Sequence, residues 1–304
     1  MRPGLRAAQS GPDWRAAPSR TVDVMGGSVE RGRRGRLAAR LAGLSGRRRA
    51  LMIGIALAVV AAVAAAAVAA SVRGAADSPG TAARPAQSRP GPVLLVPGYG
   101  GSTSSLDVLA HRIRATGRKA TVLRLPGTGM GSLITDAALL NTAVNEDLAH
   151  GARSVDVIGY SAGGVVALIW ARRDDGAARA RRVITLGSPF HGTGLAAAAE
   201  AFVPGACTPA CRQLVPGSAL LTSLDVANPR GLPHWLSLWT TDDQTVTPPD
   251  SARLAGAIDV PIQSVCPALS ITHSQLPTSP PVVAMVLQAL GPGPLVAPSA
   301  ADCR

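Results

Sequence analysis

The stretch that decides the fold of this chain is Val-Asp-Val-Ile-Gly-Tyr-Ser-Ala-Gly-Gly-Val-Val-Ala-Leu, at residues 155–168. Its first half is a short apolar run, which predicts a buried strand over 154–158. Its second half begins an apolar pattern that predicts a helix over 162–173. Ser161 lies between the two halves, among glycine and alanine residues. A turn this tight requires small neighbours, because larger side chains would collide with the strand and the helix.

The pentapeptide at 159–163 has the form G-x-S-x-G, which in strand–turn–helix context predicts that Ser161 is a nucleophile. The turn lifts the hydroxyl above the sheet, and the helix N-terminus offers backbone N–H groups to a developing oxyanion. A second N–H must come from a loop that approaches closely, and glycines at 98, 100 and 101 follow the first predicted strand. The N–H groups of Tyr99 and Ala162 are therefore candidates, although an ordinary glycine-rich loop would have the same composition.

A serine nucleophile needs a base, and in this class of site the chain order is serine, acid, histidine. Three histidines follow Ser161, namely His191, His234 and His273. His273 lies between the last predicted strand and the last predicted helix, which suits a catalytic base. His191 fits better as a loop residue that bonds to nearby backbone.

The acid should follow the strand that ends near Trp239, where two aspartates, Asp242 and Asp243, are adjacent. Neighbouring carboxylates cannot both face one histidine, so one of them is expected to be solvated or to cap a turn. The residues alone leave the choice between Asp242 and Asp243 open.

Apolar strands alternate with helices through the rest of the chain. This pattern is typical of a mostly parallel sheet flanked by helices, so we predict an α/β fold. The predicted strands are 93–96, 121–125, 154–158, 182–186, 235–239 and 260–266, the predicted helices are 104–116, 133–150, 162–173 and 281–290, and a long irregular region covers 188–231.

Over residues 92–290 these motifs resemble the α/β-hydrolase superfamily, and most of all its bacterial secreted triacylglycerol lipases and esterases. The resemblance rests on Val-Pro-Gly-Tyr-Gly-Gly at 96–101, G-x-S-x-G at 159–163, Leu-Gly-Ser-Pro-Phe-His-Gly-Thr at 186–193, Asp-Gln-Thr-Val-Thr-Pro at 243–248, and His273. Many relatives have histidine where this chain has Pro97 and Tyr160, and neither change removes a catalytic group.

The resemblance implies a serine ester hydrolase that works through an acyl-enzyme without a cofactor. Ser161 would be the nucleophile and His273 the general base and acid. Asp243 would orient His273, because the family's Asp-x-x-Val pattern fits 243–246 and not a start at Asp242. Tyr99 and Ala162 would supply the oxyanion N–H groups. Some bacterial lipases hold a structural calcium, but no clear carboxylate cluster supports one here, so we expect no metal.

The positive charge of the chain is concentrated at its N-terminus. Of a formal net charge of +12, residues 1–50 contribute +9, because twelve arginines face three acidic residues there. The remainder is nearly balanced, and it has no basic patch interleaved with aromatic residues. We therefore expect no nucleic-acid partner.

An uncharged stretch of 22 residues, 51–72, directly follows this basic segment. As a helix it would reach roughly 33 Å, which is enough to cross a bilayer core. We predict a transmembrane or signal-anchor helix that keeps 1–50 in the cytoplasm and exports the rest, with 73–92 as a disordered linker and 93–304 as the hydrolase domain. Cleavage after small residues at 67–69 or 74–76, which would release a secreted protein, stays open, as does a start at Met25.

Four cysteines, Cys207, Cys211, Cys266 and Cys303, all follow the apolar segment. An even count in an exported domain indicates two disulfides, for which three pairings are possible. One of these makes Cys207 and Cys211 a local clip and leaves Cys266 to hold the C-terminal tail at Cys303.

The region 188–232 contains a small apolar helix-like stretch and is a candidate lid or substrate-pocket insertion, unless it is a plain packed crossover. With few aromatic residues available, we expect a lipid-like or short acyl ester as substrate. Two other functions remain as alternatives: an envelope acyltransferase of the same fold, and a binding protein without activity. The oligomeric state is not predicted.

Overall fold

The computed structural model describes residues 84–303, except Pro204 and Asp225, together with 45–47, 50–51, 54–55, 57–59 and 61–62. The chain divides into two units, Met1–Pro79 and Gly80–Arg304. The described pieces of the predicted anchor 51–72 are helical. The rest of that anchor, nearly all of the basic segment 1–50 and residues 73–83 of the linker lie outside the described residues. Within the described part of the chain, no helix has the length and apolar character needed to cross a membrane.

The second unit is built on one sheet of six strands, all parallel, in the order β2-β1-β3-β4-β5-β6. This confirms the predicted α/β class. The strands are β1 (Val93–Val96), β2 (Ala120–Val122), β3 (Val155–Tyr160), β4 (Ala180–Leu186), β5 (His234–Trp239) and β6 (Ile258–Pro261). The helices are α1 (Ser104–Ala115), α2 (Leu133–Ala149), α3 (Ala162–Arg173), α4 (Gly176–Arg179), α5 (Gly194–Phe202), α6 (Pro209–Gln213), α7 (Ala219–Ser223), α8 (Ile262–Val265) and α9 (Pro280–Leu290).

Both faces of the sheet are covered, which is why its strands are apolar at successive positions. Val157 belongs to a core cluster with α2 and α3, whereas its neighbour Ile158 belongs to a second cluster with α1 and α9. Successive side chains of a strand point to opposite faces, so a strand buried on both sides has no polar alternation.

Two expectations from the sequence were wrong in detail. The region 188–231 is not irregular throughout, because α5, α6 and α7 lie in it, each beginning after a Ser or Thr side chain that accepts a backbone N–H. The strand expected over 260–266 ends at Pro261, and the chain continues as α8. A short apolar run does not distinguish a buried strand from a buried helical turn.

A buried ion cluster joins the N-terminal edge of the sheet to both ends of the domain. The carboxylate of Asp156, in β3, accepts hydrogen bonds from Arg181 at 2.9 and 2.5 Å and from Arg118 at 2.6 Å. Arg181 also donates to the carbonyls of Gln87 and Leu290. The second of these lies at the C-terminus of α9, where the helix dipole favours a cation.

Replacing Asp156 with alanine is expected to destabilise the domain by about 3–5 kcal/mol, because the guanidinium groups of Arg118 and Arg181 would lose the carboxylate that pairs with them. Urea unfolding of residues 80–304 would measure the change. Asp107→Ala, at an exposed position of α1, is the matched control and should cost less than about 1 kcal/mol. Equal losses in the two variants would show that the cluster does not stabilise the fold.

Candidate active site

Ser161 occupies a strained backbone conformation between β3 and α3. Its φ of 53° and ψ of −127° lie in a region that favours glycine, and among the described residues only Asp175 shares a positive φ without being glycine. The N–H of Ser161 donates to the carbonyl of Leu186 at 2.8 Å, which ties the corner to the end of β4. The strand, the turn and the helix are therefore arranged as the sequence predicted.

Three glycines around Ser161 permit contacts that no other residue could make. A Cβ at Gly159 would lie 2.5 Å from the Cα of Gly164. A Cβ at Gly163 would lie 2.2 Å from the carbonyl oxygen of Val96, and one at Gly164 would lie 1.9 Å from Oγ of Ser188. Helix α3 can begin at this corner only because the end of β1 and the loop after β4 reach its backbone directly.

His273 and Asp243 form a buried pair. The Nδ1–H of His273 donates to Oδ2 of Asp243 at 2.6 Å. The other carboxylate oxygen of Asp243 accepts the backbone N–H groups of Thr245 and Val246, both at 2.8 Å. Both oxygens of Asp243 are thus held in place, and the ring of His273 is oriented by a fixed acceptor.

Asp242 is directed elsewhere. Its Oδ2 accepts the hydroxyl of Ser270 at 2.9 Å, and its side chain is partly exposed. The structure therefore pairs His273 with Asp243 and not with Asp242. This choice agrees with the Asp-x-x-Val pattern and leaves Asp242 as the turn residue.

Ser161 and His273 both pack at the end of β4. Gly187 follows that strand with a φ of 58°, and a Cβ there would lie 3.0 Å from Nδ1 of His273. Because Ser161 is hydrogen-bonded to Leu186, the preceding residue, the serine and the histidine approach the same short piece of backbone. Both lie at the C-terminal edge of the parallel sheet, where α/β proteins place their ligands.

Tyr160 supports the histidine in a way that the sequence analysis missed. Its ring centroid lies 5.2 Å from that of His273, and its hydroxyl donates to the backbone carbonyl of His273 at 3.3 Å. Burial and then the negative charge of Asp243 raise the pKa of Tyr160 to about 12, so its hydroxyl stays protonated near neutral pH. The only signal in the sequence was an aromatic residue directly before Ser161.

The two residues predicted to supply oxyanion N–H groups both lie beside Ser161. Ala162 is the first residue of α3, and the first N–H groups of a helix have no acceptor within it. The loop that carries Tyr99 approaches so closely that a Cβ at Gly98 would lie 2.9 Å from the Cβ of Ser161. The hydroxyl of Tyr99 is 3.1 Å from Oγ1 of Thr208, at the start of α6.

A small apolar cavity of about 180 Å³ opens at Ser161. Helix α5 contributes one wall and α6 another, so part of the region 188–232 faces the nucleophile. The lining residues are Tyr99, Ser161, Pro189, Thr193, Leu195, Ala196, Ala199, Cys211, Leu214, Thr245 and Val246.

Two disulfides hold peripheral segments of the domain. Cys207 is joined to Cys211, which fixes the start of α6 beside the cavity, and Cys266 is joined to Cys303 near the C-terminus. Of the three possible pairings, the structure has the one that joins Cys207 to the nearby Cys211 and Cys266 to Cys303. Two disulfides are typical of a protein from an oxidising, extracytoplasmic compartment.

The other histidines considered as bases lie outside this arrangement. The Nδ1–H of His191 donates to the carbonyl of Ser251 at 3.1 Å. His234 begins β5, at the sheet edge opposite Ser161, and burial together with Arg84 and Arg182 lowers its pKa. Within residues 84–303, as far as the structure describes them, neither histidine is hydrogen-bonded to a carboxylate.

No protein-family model matches the sequence, and the search of curated proteins gave no match. Solved structures are similar. Aspergillus fumigatus lipase B superposes with a TM-score of 0.58 at 20% identity, over 70% of this chain and 56% of the lipase. The mature form of Bacillus licheniformis lipase BlEst2 gives 0.55 at 18% identity, over 68% of this chain and 96% of that one.

The propeptide form of BlEst2 gives a TM-score of 0.54 at 20% identity, over 69% of this chain and 53% of that one. This chain therefore spans about half the length of the chain in two of these three structures. At such identities the likeness concerns the fold, and it shows that this chain has the α/β-hydrolase fold that the motifs led us to expect.

Gly163→Ala is expected to destabilise the domain by about 1–3 kcal/mol or more, because the new methyl group would meet backbone oxygen and not a movable side chain. Gly131→Ala is the matched control, since a Cβ there has no atom within 4 Å. The control should be neutral or stabilising by up to about 1 kcal/mol. Urea unfolding distinguishes the two, and equal stability would mean that the close approach at Ser161 does not constrain the fold.

Proposed function

We propose that this chain is a serine carboxylic-ester hydrolase, a lipase or esterase that works through an acyl-enzyme intermediate. The observation that carries the proposal is the buried His273–Asp243 pair at the same sheet edge as the strained Ser161. Because Nδ1 of His273 is bound to Asp243, Nε2 is the ring nitrogen left to exchange a proton with the serine hydroxyl.

In the first half of the reaction, Nε2 of His273 takes the proton of Ser161 while Oγ attacks the ester carbonyl. The N–H groups of Tyr99 and Ala162 receive the developing oxyanion, and one such donor is worth about 10²–10³ in kcat. The alcohol leaves with the proton from His273. Water, activated by the same nitrogen, then releases the acid and restores Ser161, so the cycle needs no cofactor.

The cavity favours a short acyl group. Its volume of about 180 Å³ is below the range of roughly 300–1,000 Å³ that is usual for ligand pockets. It is closer to the size of a cavity of about 150 Å³ that holds one benzene molecule. We therefore propose esters of short acids as substrates, with the acyl chain lying against α5 and α6.

The proposed place of action is outside the cytoplasmic membrane. The two disulfides favour an oxidising compartment. The sequence of 51–72 supplies either an anchor or a signal segment for export. Both routes leave residues 93–304 on the same side.

Hydrolysis of p-nitrophenyl acetate by residues 80–304 tests the proposed roles. Ser161→Ala should lower kcat by about 10⁶ because the nucleophile is lost. Asp243→Asn should lower it by about 10⁴ because His273 would lose the acceptor that sets its tautomer. Asp242→Asn is the matched control and should stay within a factor of about 3, since Asp242 contacts Ser270 instead.

Two results would contradict these roles. If the oxidised, folded protein hydrolysed no ester and Ser161→Ala changed nothing, the chain would not be a serine hydrolase. If Asp242→Asn lost as much activity as Asp243→Asn, the assignment of the acid would be wrong.

The acyl cavity is tested with p-nitrophenyl esters of increasing chain length. We expect the highest kcat/KM for short acids, and Ala199→Phe should shift the optimum to still shorter ones, because Ala199 lines the cavity. Ala198→Phe places the same side chain at an exposed position of the same helix and should leave the profile unchanged. A preference for long acids, or the same shift in both variants, would place the acyl chain elsewhere.

A further inference from the structure

A second cavity, of about 410 Å³, lies at the edge of the sheet opposite Ser161. Its walls come from residues 89–92 before β1, Lys119 before β2, Asp147 near the end of α2, and residues 150–154 before β3. In a parallel sheet the residues that precede the strands share one edge, and those that follow them share the other. A strand of six residues separates the two edges by roughly 20 Å.

This cavity, which we call the basic groove, has an excess of positive charge. It is lined by three cationic residues, Arg89, Lys119 and Arg153, by His150, and by one acidic residue, Asp147. The carboxylate of Asp147 is buried and accepts from Nζ of Lys119 at 2.6 Å, so it is already neutralised.

The two arginines of the groove are exposed. Within the described residues, no carboxylate or carbonyl accepts a hydrogen bond from the guanidinium of Arg89 or Arg153. Arg84 adds a further charge near the same edge, where it acts on His234 at the start of β5. Among the residues that the structure describes, the charges of Arg89 and Arg153 are therefore not balanced by an ion pair.

We propose that the basic groove docks onto the phosphate head groups of an anionic membrane surface. Anionic lipid head groups attract lysine and arginine side chains that lie near the membrane surface, and the groove presents the exposed guanidinium groups of Arg89 and Arg153. Sixteen residues, 73–88, connect the predicted anchor 51–72 to Arg89, the first residue of this groove, and they span at most about 60 Å when fully extended.

Docking through this edge turns the Ser161 edge away from the lipid. The ester that reaches the cavity then comes from the surroundings and not from the bilayer that carries the protein. The docking proposal itself does not depend on the esterase activity, because it concerns only the charge and position of the groove.

Co-sedimentation with vesicles tests the proposal. Residues 80–304 are suitable because they form their own unit, with both disulfides and both core clusters, and lack the apolar stretch 51–72. We expect binding to phosphatidylglycerol vesicles, weakened by salt, and none to phosphatidylcholine vesicles.

Arg153→Glu and, separately, Arg89→Glu should each weaken binding by roughly tenfold. Arg124→Glu makes the same change of charge at an exposed position after β2, on the opposite edge, and should have little effect. Thermal melting verifies that the variants are folded.

Absence of vesicle binding, equal binding to both lipids, or equal weakening by Arg124→Glu would each overturn the proposal. Soluble glycerol 1-phosphate distinguishes a membrane from a free ligand. If it bound to the domain while vesicles did not, the groove would be a site for a small phosphate compound and not a docking surface. None of these readouts uses ester hydrolysis, so a failure here leaves the proposed reaction untouched.

Discussion

The backbone of Ser161 is the constraint on which the rest of the site depends. A positive φ at a serine costs of order 1–3 kcal/mol and persists only where the surroundings impose it. Two contacts hold Ser161 in this conformation: its hydrogen bond to Leu186, and the close approach of α3 to the end of β1 at Gly163. The same contacts bring the loop of Tyr99 and the start of α3 to the serine. The backbone strain at Ser161 and the candidate oxyanion site therefore have the same cause. Backbone segments around Ser161 pack so closely that the glycine positions leave no room for a Cβ atom.

The two edges of the sheet have different chemistry because parallel strands collect different residues at their two ends. The C-terminal edge carries Ser161 and the His273–Asp243 pair, both held by backbone groups of neighbouring strands and loops. The N-terminal edge carries arginines. Those that are buried neutralise Asp156 and cap α9, which offsets the desolvation that makes buried ion pairs costly. In the part of the chain that the structure describes, the exposed Arg89 and Arg153 have no such carboxylate partner, and both line the basic groove.

The insertion between β4 and β5 lines the cavity at Ser161. Helices α5 and α6 are short, and neither would be stable alone. They are held by the threonine caps Thr193 and Thr208, by the Cys207–Cys211 disulfide and by packing in the core cluster on that face of the sheet. Small side chains of α5, such as Ala196 and Ala199, line the cavity beside Ser161, and its volume is the reason why we propose short acyl groups.

The sequence by itself determined the α/β class, five of the six strands to within two or three residues, and the corner at Ser161. These depend on local patterns: apolar runs, turn glycines and the spacing of G-x-S-x-G. The resemblance favoured Asp243 over Asp242 as the partner of His273, and the structure agrees with it. Other features were decided only by the tertiary structure, namely the hydrogen-bond contact between His273 and Asp243 itself, the support from Tyr160, the turn of the chain into α8 at Pro261, and the volume of the cavity. Asp243 and His273 are 30 residues apart, and Tyr160 and His273 are 113 apart. Such contacts are set by how distant segments pack, which no local pattern records.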